Sequence, residues 1–271
     1  MQRNSSIDAA RGVAAVAVLL FHANYLSIGW IGVPIFFALS GYLITRQMRD
    51  GMRPITFWQR RAVRLIPPFY IYLVANLIIA EAQGRDMAGY PWHFLGGSDV
   101  LIAFGGASGH GHVGHLWSIA VEFQAYAVWP AIMAAGRFRR LILFAMAVGF
   151  FTVWAAVGHP AVMVGTAAFF ALGALVALQG YEPPHIRVSR ALVALGRASY
   201  SIYLWQMICV GGAMRLGYPI VGVAASIAVG LMSARWLEDW RWLLKLLNQS
   251  TRRRNRLKII SSGGVSIEVT T

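Results

Sequence analysis

Charged side chains are scarce in this sequence, and acidic ones are the scarcest. Only 13% of the 271 residues are charged, and only 10 of them are Asp or Glu, whereas 58% are hydrophobic. A soluble domain of this length carries about a quarter charged residues, so the composition excludes an ordinary soluble fold. The mean hydropathy of +0.57 indicates that most of the surface faces lipid.

Cysteine is nearly absent as well. The single Cys209 lies in an apolar run, which excludes a disulfide framework and a thiolate metal site. The sequence also has no evident internal repeat and no low-complexity segment. The sequence therefore excludes a repeat protein and a small domain held together by a thiolate-bound metal.

Long apolar runs are what the sequence has in abundance. A bilayer is crossed by about 20 apolar residues in a helix, and we count about eight such runs. The predicted fold is therefore an all-α, polytopic integral membrane bundle of about eight transmembrane helices. The runs lie at 7–28, 31–48, 65–82, 115–135, 140–157, 161–178, 197–214 and 218–236.

The first run is also compatible with a cleaved secretory signal, since basic residues precede a short apolar core. Two features disfavour this alternative. His22, Asn24 and Tyr25 follow the core, and no small-x-small cleavage site is apparent. Several further spans also follow it.

The 24 basic residues predict the topology. With the N-terminus in the cytoplasm, nearly all Lys and Arg fall in cytoplasmic segments, and the outer loops hold only Arg85 and Arg215. This asymmetry obeys the positive-inside rule and predicts a multi-pass protein of a bacterial inner membrane. We assign the net charge of +14 to topology and to anionic membrane lipids, and expect no nucleic-acid partner.

One membrane domain accounts for most of the chain. We place it at residues 1–245, followed by a basic cytoplasmic tail at 246–271 that we expect to be disordered. The longest stretch outside the membrane, 81–114, is too short and too glycine-rich for a separate domain.

Ionisable groups inside a span are costly and suggest function. Arg11 and His22 are eleven residues apart, so they share one helix face about 16 Å apart. Arg11 is either a topology anchor at the inner headgroups or a functional group. His22 lies too deep to reach the headgroups and is either a satisfied structural histidine or a site residue.

The fourth run, "HLWSIAVEFQAYAVWP", places His115, Ser118 and Glu122 on one helix face. Glu122 is the only acidic residue well inside any run, and it needs a partner or a proton. His22 is the partner that we predict, because a carboxylate bonded to an imidazole prepares a general base. The alternative is a buried polar contact that only holds helices together.

The remaining polar groups allow two interpretations each. Arg60, Arg61 and Arg64 form a cluster suited to phosphates, but from the residues alone anchoring to the inner leaflet is the favoured explanation. Tyr200 and Tyr203 are either interface anchors or the lining of a polar cavity. The further cavity-lining candidates are Ser40, Ser118 and Gln206.

Three histidines in "HGHVGH" (His110, His112 and His115) suggest a metal site. No carboxylate or thiol stands beside them at ligand spacing, so we expect no metal.

Five motifs in order resemble the membrane-bound acyltransferase 3 family. They are Arg11 with His22, "GVPIFFALSGYLIT", "RRAVRLIPPFY", "HLWSIAVEFQAYAVWP" and "ASYSIYLWQ". The segment "ARWLEDWRW" is similar to the end of the final span in that family. The resemblance covers nearly the whole chain up to about residue 245.

This resemblance implies O-acetylation, the transfer of an acyl group, usually acetyl from acetyl-CoA, to a hydroxyl. The expected partners are acyl-CoA and a cell-surface or exported glycan, a lipid-linked glycan or a small molecule, with no permanently bound cofactor. Arg11, His22 and Glu122 would be catalytic. Arg60, Arg61 and Arg64 would hold the coenzyme.

The sequence departs from the family pattern at three points. Gln206 stands where a histidine is common, and Pro34 stands where an acidic residue is frequent. Only about 78 residues separate Glu122 from Tyr200, room for two spans where relatives commonly have more. A carrier or flippase with a polar path, and a noncatalytic member of the family, remain the alternative functions.

Overall fold

The computed structural model is helical throughout its described residues, which are 4–103, 111–157 and 162–238. No strand occurs in these three ranges. The α-helices are α1 (Ser5–His22), α2 (Gly32–Arg49), α3 (Pro54–Ala82), α4 (Tyr90–Phe94), α5 (Ser98–Ala103), α6 (Leu116–Ala134), α7 (Arg139–Val157), α8 (Val162–Leu178), α9 (Arg190–Arg197), α10 (Ser199–Arg215) and α11 (Pro219–Leu237).

A long helix lies in each of the eight predicted ranges. Five helical segments are long and apolar enough to cross a membrane: Ser5–His22, Ser27–Arg49, Pro54–Ala82, Gly136–Val157 and Pro219–Leu237. Gly165–Leu178 is apolar but shorter. The all-helical membrane architecture is therefore confirmed, while the number of crossings and the side of the N-terminus stay predictions.

Local chemistry explains where the predicted bounds were wrong. The first run was predicted to continue to residue 28, but α1 ends at His22 because Asn24 adopts a left-handed conformation with a φ of 61°. The third helix begins eleven residues earlier than predicted, at Pro54, because proline is well suited to the first helical turn. The predicted domain end at 245 and the tail 246–271 lie outside the described residues.

Helices α2 and α8 meet backbone to backbone. A Cβ added to Gly41 would collide with the carbonyl of Phe170, and one added to Gly173 with the carbonyl of Ala38. Glycines of this kind let membrane helices approach closely. They hold α2 and α8 at a fixed separation.

The polar side chains gather on α6 and α10. Buried residues of α10 include Ser199, Ser201, Tyr203 and Gln206, and those of α6 include Ser118. By contrast, only 11% of the Gly136–Val157 segment is buried, as expected of a helix that faces lipid. The two polar helices therefore line the interior of the bundle.

Candidate active site

Most of the described arginines lie at one end of the bundle, where α1 and α3 begin and α2 ends. We call it the basic end. A cavity of about 390 Å³ opens there between these helices. We call it the basic-end cavity. Its charged lining residues are Asp8, Arg11, Arg46, Arg60, Arg61 and Arg64. Five cations against one carboxylate give it a strongly positive field.

These arginines are engaged to different degrees. Arg64 donates from Nε to Glu238 Oε2 at 2.9 Å, and the same carboxylate accepts from Ser201 Oγ at 2.7 Å. Arg64 thereby ties α3 to the end of α11. Arg60 is exposed, and no hydrogen bond or ion pair engages it within the described residues.

Arg61 lies on aromatic rings. Its guanidinium carbon is 5.1 Å from the centre of the Tyr126 ring and 5.6 Å from that of Phe57. One of its terminal nitrogens donates to Gln47 Oε1 at 3.3 Å. Its other N–H groups make no hydrogen bond to any part of the chain that the structure describes, so they can take an anion in the cavity.

Arg11 also lines a second, much smaller cavity of about 40 Å³, which we call the neck. Arg11 Nε donates to Ser199 Oγ at 3.2 Å, and its guanidinium carbon lies 5.8 Å from the centre of the Phe36 ring. The neck lining consists of Arg11, Val33, Phe36, Phe37, Ser40, Ser118, Ile119, Glu122, Ser199, Tyr200 and Tyr203.

Glu122 is fixed on the neck wall by two hydroxyls. Its Oε1 accepts from Ser40 Oγ at 2.8 Å and from the Tyr126 hydroxyl one helical turn away. Ser40, predicted as a cavity residue, therefore lies at the site. Arg11 and Glu122 share the lining of one small cavity, so opposite charges lie close together inside the bundle.

A third cavity of about 280 Å³ lies toward the opposite end, and we call it the histidine cavity. His22 and His115 both line it, together with Trp30, Trp117, Thr166 and other residues. Val33 and Tyr203 line both this cavity and the neck. The three cavities therefore adjoin one another in series.

The hydrogen bonds of the two imidazoles define their free nitrogens. His22 Nδ1 donates to the carbonyl of Val18 at 3.0 Å, and His115 Nε2 donates to that of Leu204 at 3.1 Å. A neutral ring with one donating nitrogen keeps the other as an acceptor. His22 Nε2 and His115 Nδ1 are therefore acceptors, and the buried His115 Nδ1 has no hydrogen-bond partner in the described part of the chain.

The predicted pair of His22 and Glu122 is not formed. Glu122 lies level with Arg11 at the neck, whereas the amide of Gln206, fully buried, lies beside the His22 ring. Spacing along one helix predicts which residues share a face. It does not predict how far one helix is shifted along its axis relative to another. Gln206 thus occupies the position beside His22 that we had assigned to the carboxylate.

Two other predicted residues are joined across helices. Ser118 Oγ and the Tyr203 hydroxyl share a hydrogen bond of 2.8 Å. Tyr200 lines the neck with its ring, but its hydroxyl donates to the carbonyl of Leu65 at 2.9 Å. Its hydroxyl is therefore a tie between α10 and α3.

Sequence reasoning missed Tyr126 and Glu238, and it did not predict that Ser199 accepts from Arg11. Tyr126 was detectable, since it follows Glu122 by one helical turn. Ser199 and Glu238 reach their arginines across 188 and 174 residues of chain, a distance at which a single sequence carries no signal.

The histidines of "HGHVGH" do not share one location. His110 lies outside the described residues, His115 lines the histidine cavity, and His112 is covered by α10 near Gly211. Burial lowers the pKa of His112, and the nearby Arg85 and Arg215 lower it further.

Comparison with known proteins gives a consistent result. The model of the acyltransferase 3 family, described as an acyltransferase domain, matches residues 4–251. The peptidoglycan O-acetyltransferase OatA of Listeria monocytogenes is 33% identical over 150 residues, covering 47% of this chain and 24% of the relative. BcsY of Komagataeibacter xylinus, whose name describes a membrane-bound transacylase, is 31% identical over 166 residues, covering 53% and 42%.

A third relative, the O-acetyltransferase OatA of Staphylococcus aureus, is 29% identical over 149 residues, covering 47% of this chain and 24% of the relative. The chain therefore aligns with less than half the length of these relatives. No solved structure matches this chain.

Proposed function

The chain belongs to the acyltransferase 3 family, and we propose on this basis that it is a membrane O-acyltransferase that moves an acetyl group from acetyl-CoA to a hydroxyl. The observation that carries the proposal is the series of cavities. An arginine-lined cavity, a small neck and a cavity lined by two imidazoles follow one another through the bundle.

The donor binds in the basic-end cavity. Coenzyme A carries several phosphates, and guanidinium groups bind phosphate in bidentate fashion. Arg60 and the free N–H groups of Arg61 supply these contacts, while Arg64, held by Glu238, shapes the cavity. The positive-inside rule places this end in the cytoplasm, where acetyl-CoA is available.

The acyl group lies in the neck during transfer. Arg11 lines both the basic-end cavity and the neck, so it can stabilise the negative charge that develops on the thioester oxygen. Glu122 balances the charge of Arg11 and is itself held by Ser40 and Tyr126.

His22 acts as the general base from the histidine cavity. Its Nε2 takes the proton of the acceptor hydroxyl while the hydroxyl oxygen attacks the carbonyl carbon of the thioester. The new C–O bond forms, the C–S bond breaks, and the proton passes to the departing thiolate of coenzyme A. Val18 fixes the tautomer of His22, and Gln206 lies beside its ring.

The acceptor enters the histidine cavity from the opposite end. Trp30 and Trp117 offer flat apolar faces, and His115 Nδ1 offers a hydrogen-bond acceptor. Aromatic faces with a few polar groups suit a ligand that has both apolar and hydroxyl surfaces. Together with the names of the relatives, this favours a hydroxyl of a cell-surface or exported glycan over a small molecule.

One observation favours a second candidate function, a carrier. Cavities in series through a bundle also describe a translocation path. The neck argues against it, because its volume of about 40 Å³ is far smaller than the volumes of about 390 and 280 Å³ of the two cavities that it joins. A whole solute would not pass without a large rearrangement.

The test uses the protein in nanodiscs with acetyl-CoA and N-acetylchitotetraose as the glycan probe. An acyltransferase releases the thiol of coenzyme A, with the acetyl group transferred to the probe or, more slowly, to water. His22→Ala should abolish the release. A carrier or a noncatalytic member would leave acetyl-CoA intact in the wild type as well.

A further inference from the structure

The neck combines one polar side with a rigid apolar side. The apolar side consists of Val33, Phe36, Phe37 and Ile119. We propose that this apolar side limits the length of the acyl chain, and that Val33 sets the limit. The inference rests on the proposed function, in which the acyl group lies in the neck during transfer.

The neck is the narrowest part of the series of cavities. Its volume of about 40 Å³ compares with about 390 Å³ for the basic-end cavity and about 280 Å³ for the histidine cavity. An acetyl group has three heavy atoms, a propionyl group four and a butyryl group five. Acetyl therefore needs the least room in the neck, and each further carbon has to displace more of the wall.

The wall cannot retreat easily. The Phe37 ring is 3% exposed and packs against Trp117 and Phe170, with ring centres 6.2 and 6.1 Å apart. Behind it, Gly41 and Gly173 hold α2 against the backbone of α8. Inserting extra methylenes into such a packed site is unfavourable.

Val33 is the member of the apolar side where the neck meets a larger space. It lines both the neck and the histidine cavity of about 280 Å³. Removing its two methyl groups would join the two cavities at this point. The fourth and fifth heavy atoms of a longer acyl group would then have room.

The chain offers a matched control for this change. Val18 also lines the histidine cavity but does not line the neck. Val18→Ala removes the same atoms from the same cavity without widening the neck. Comparing Val33→Ala with Val18→Ala therefore separates the neck from a general loosening of the bundle.

The experiment measures the release of the coenzyme A thiol from acetyl-, propionyl- and butyryl-CoA by each protein in nanodiscs. The ratio of kcat/KM between donors is the readout, because it does not depend on how much of a variant is folded. We expect the wild type to prefer acetyl over propionyl by about tenfold or more. We expect Val33→Ala to reduce this preference about tenfold and Val18→Ala to leave it within about twofold.

The outcomes separate the two proposals. The role of the neck is overturned if the wild type releases thiol from all three donors at similar rates. It is also overturned if Val33→Ala and Val18→Ala have equal kcat/KM ratios between donors. Either result leaves the acyltransferase function standing. If the wild type releases no thiol from any of the three donors, the proposed function fails and the inference fails with it.

Discussion

The two large cavities offer different physical means of recognising a ligand. The lining of the basic-end cavity includes five arginines, and attraction through charge tolerates some variation in geometry. The histidine cavity offers single atoms instead: one nitrogen of each imidazole donates to a carbonyl, and the other is an acceptor. The contrast implies that changes at the two ends should affect donor affinity and chemistry separately.

The largest effect is expected at the histidine cavity. His22→Ala removes the proposed general base, a group that typically contributes 10²- to 10⁴-fold, so we expect kcat to fall by about 100-fold or more. The KM for acetyl-CoA should change little. Steady-state thiol release measures both constants, and His185→Ala, a change at an exposed histidine, is the control.

At the basic-end cavity the effect should be on affinity. Arg60→Ala/Arg61→Ala removes two charge-assisted contacts, and each is worth about 1.5–3 kcal/mol, so the KM for acetyl-CoA should rise by about tenfold or more. The matched control is Arg137→Ala/Arg187→Ala, which removes two exposed arginines outside the cavity. If both double variants raised KM equally, general surface charge would explain the effect instead.

The neck joins the two large cavities. Substitutions at Glu122 test whether this residue serves the stability of the protein or its chemistry. Glu122→Gln keeps an oxygen that accepts from Ser40 and Tyr126 but loses the charge opposite Arg11. We expect turnover to fall by about tenfold, and the thermal midpoint to fall as well because Arg11 loses the charge that balances it inside the bundle. Glu122→Ala leaves both hydroxyls without their acceptor and should destabilise the protein by about 1–3 kcal/mol.

The smallest expected effect is the contribution of His112 to the pH dependence of stability, at the end of the bundle opposite the basic end. Burial, Arg85 and Arg215 lower the pKa of His112 in the folded protein below its ordinary value. Protonation therefore favours the unfolded state, and this contribution to stability declines as the pH falls through about 6.5. The thermal midpoint of His112→Gln should drop less between pH 7.5 and pH 5.5 (about two pH units) than that of the wild type. Equal drops would show that His112 does not contribute.

Periodicity and composition predicted the elements of this fold well because lipid imposes a simple rule on apolar runs. Each predicted run contains a long helix, and the residues expected to share one helix face, such as Ser118 and Glu122, do line one cavity. The sequence did not predict which residues of different helices lie at the same level in the bundle. Arg11, and not His22, lies level with Glu122, and that depends on how α1 slides against α6.

The partners of the arginines could not be predicted from the sequence either. Glu238 reaches Arg64, and Ser199 reaches Arg11, from the far end of the chain. Such contacts depend on how the helices are arranged around the interior, which local patterns do not encode. The resemblance to a family implies roles for single residues but does not say which of them are in contact.

The central claim is that the donor is held at the basic end and the chemistry occurs at His22. Direct binding of acetyl-CoA to the protein in nanodiscs, measured by calorimetric titration, tests it without turnover. We expect wild type and His22→Ala to bind with similar Kd, and Arg60→Ala/Arg61→Ala to bind about tenfold or more weakly. Loss of binding in His22→Ala, with unchanged binding in the arginine variant, would contradict the account.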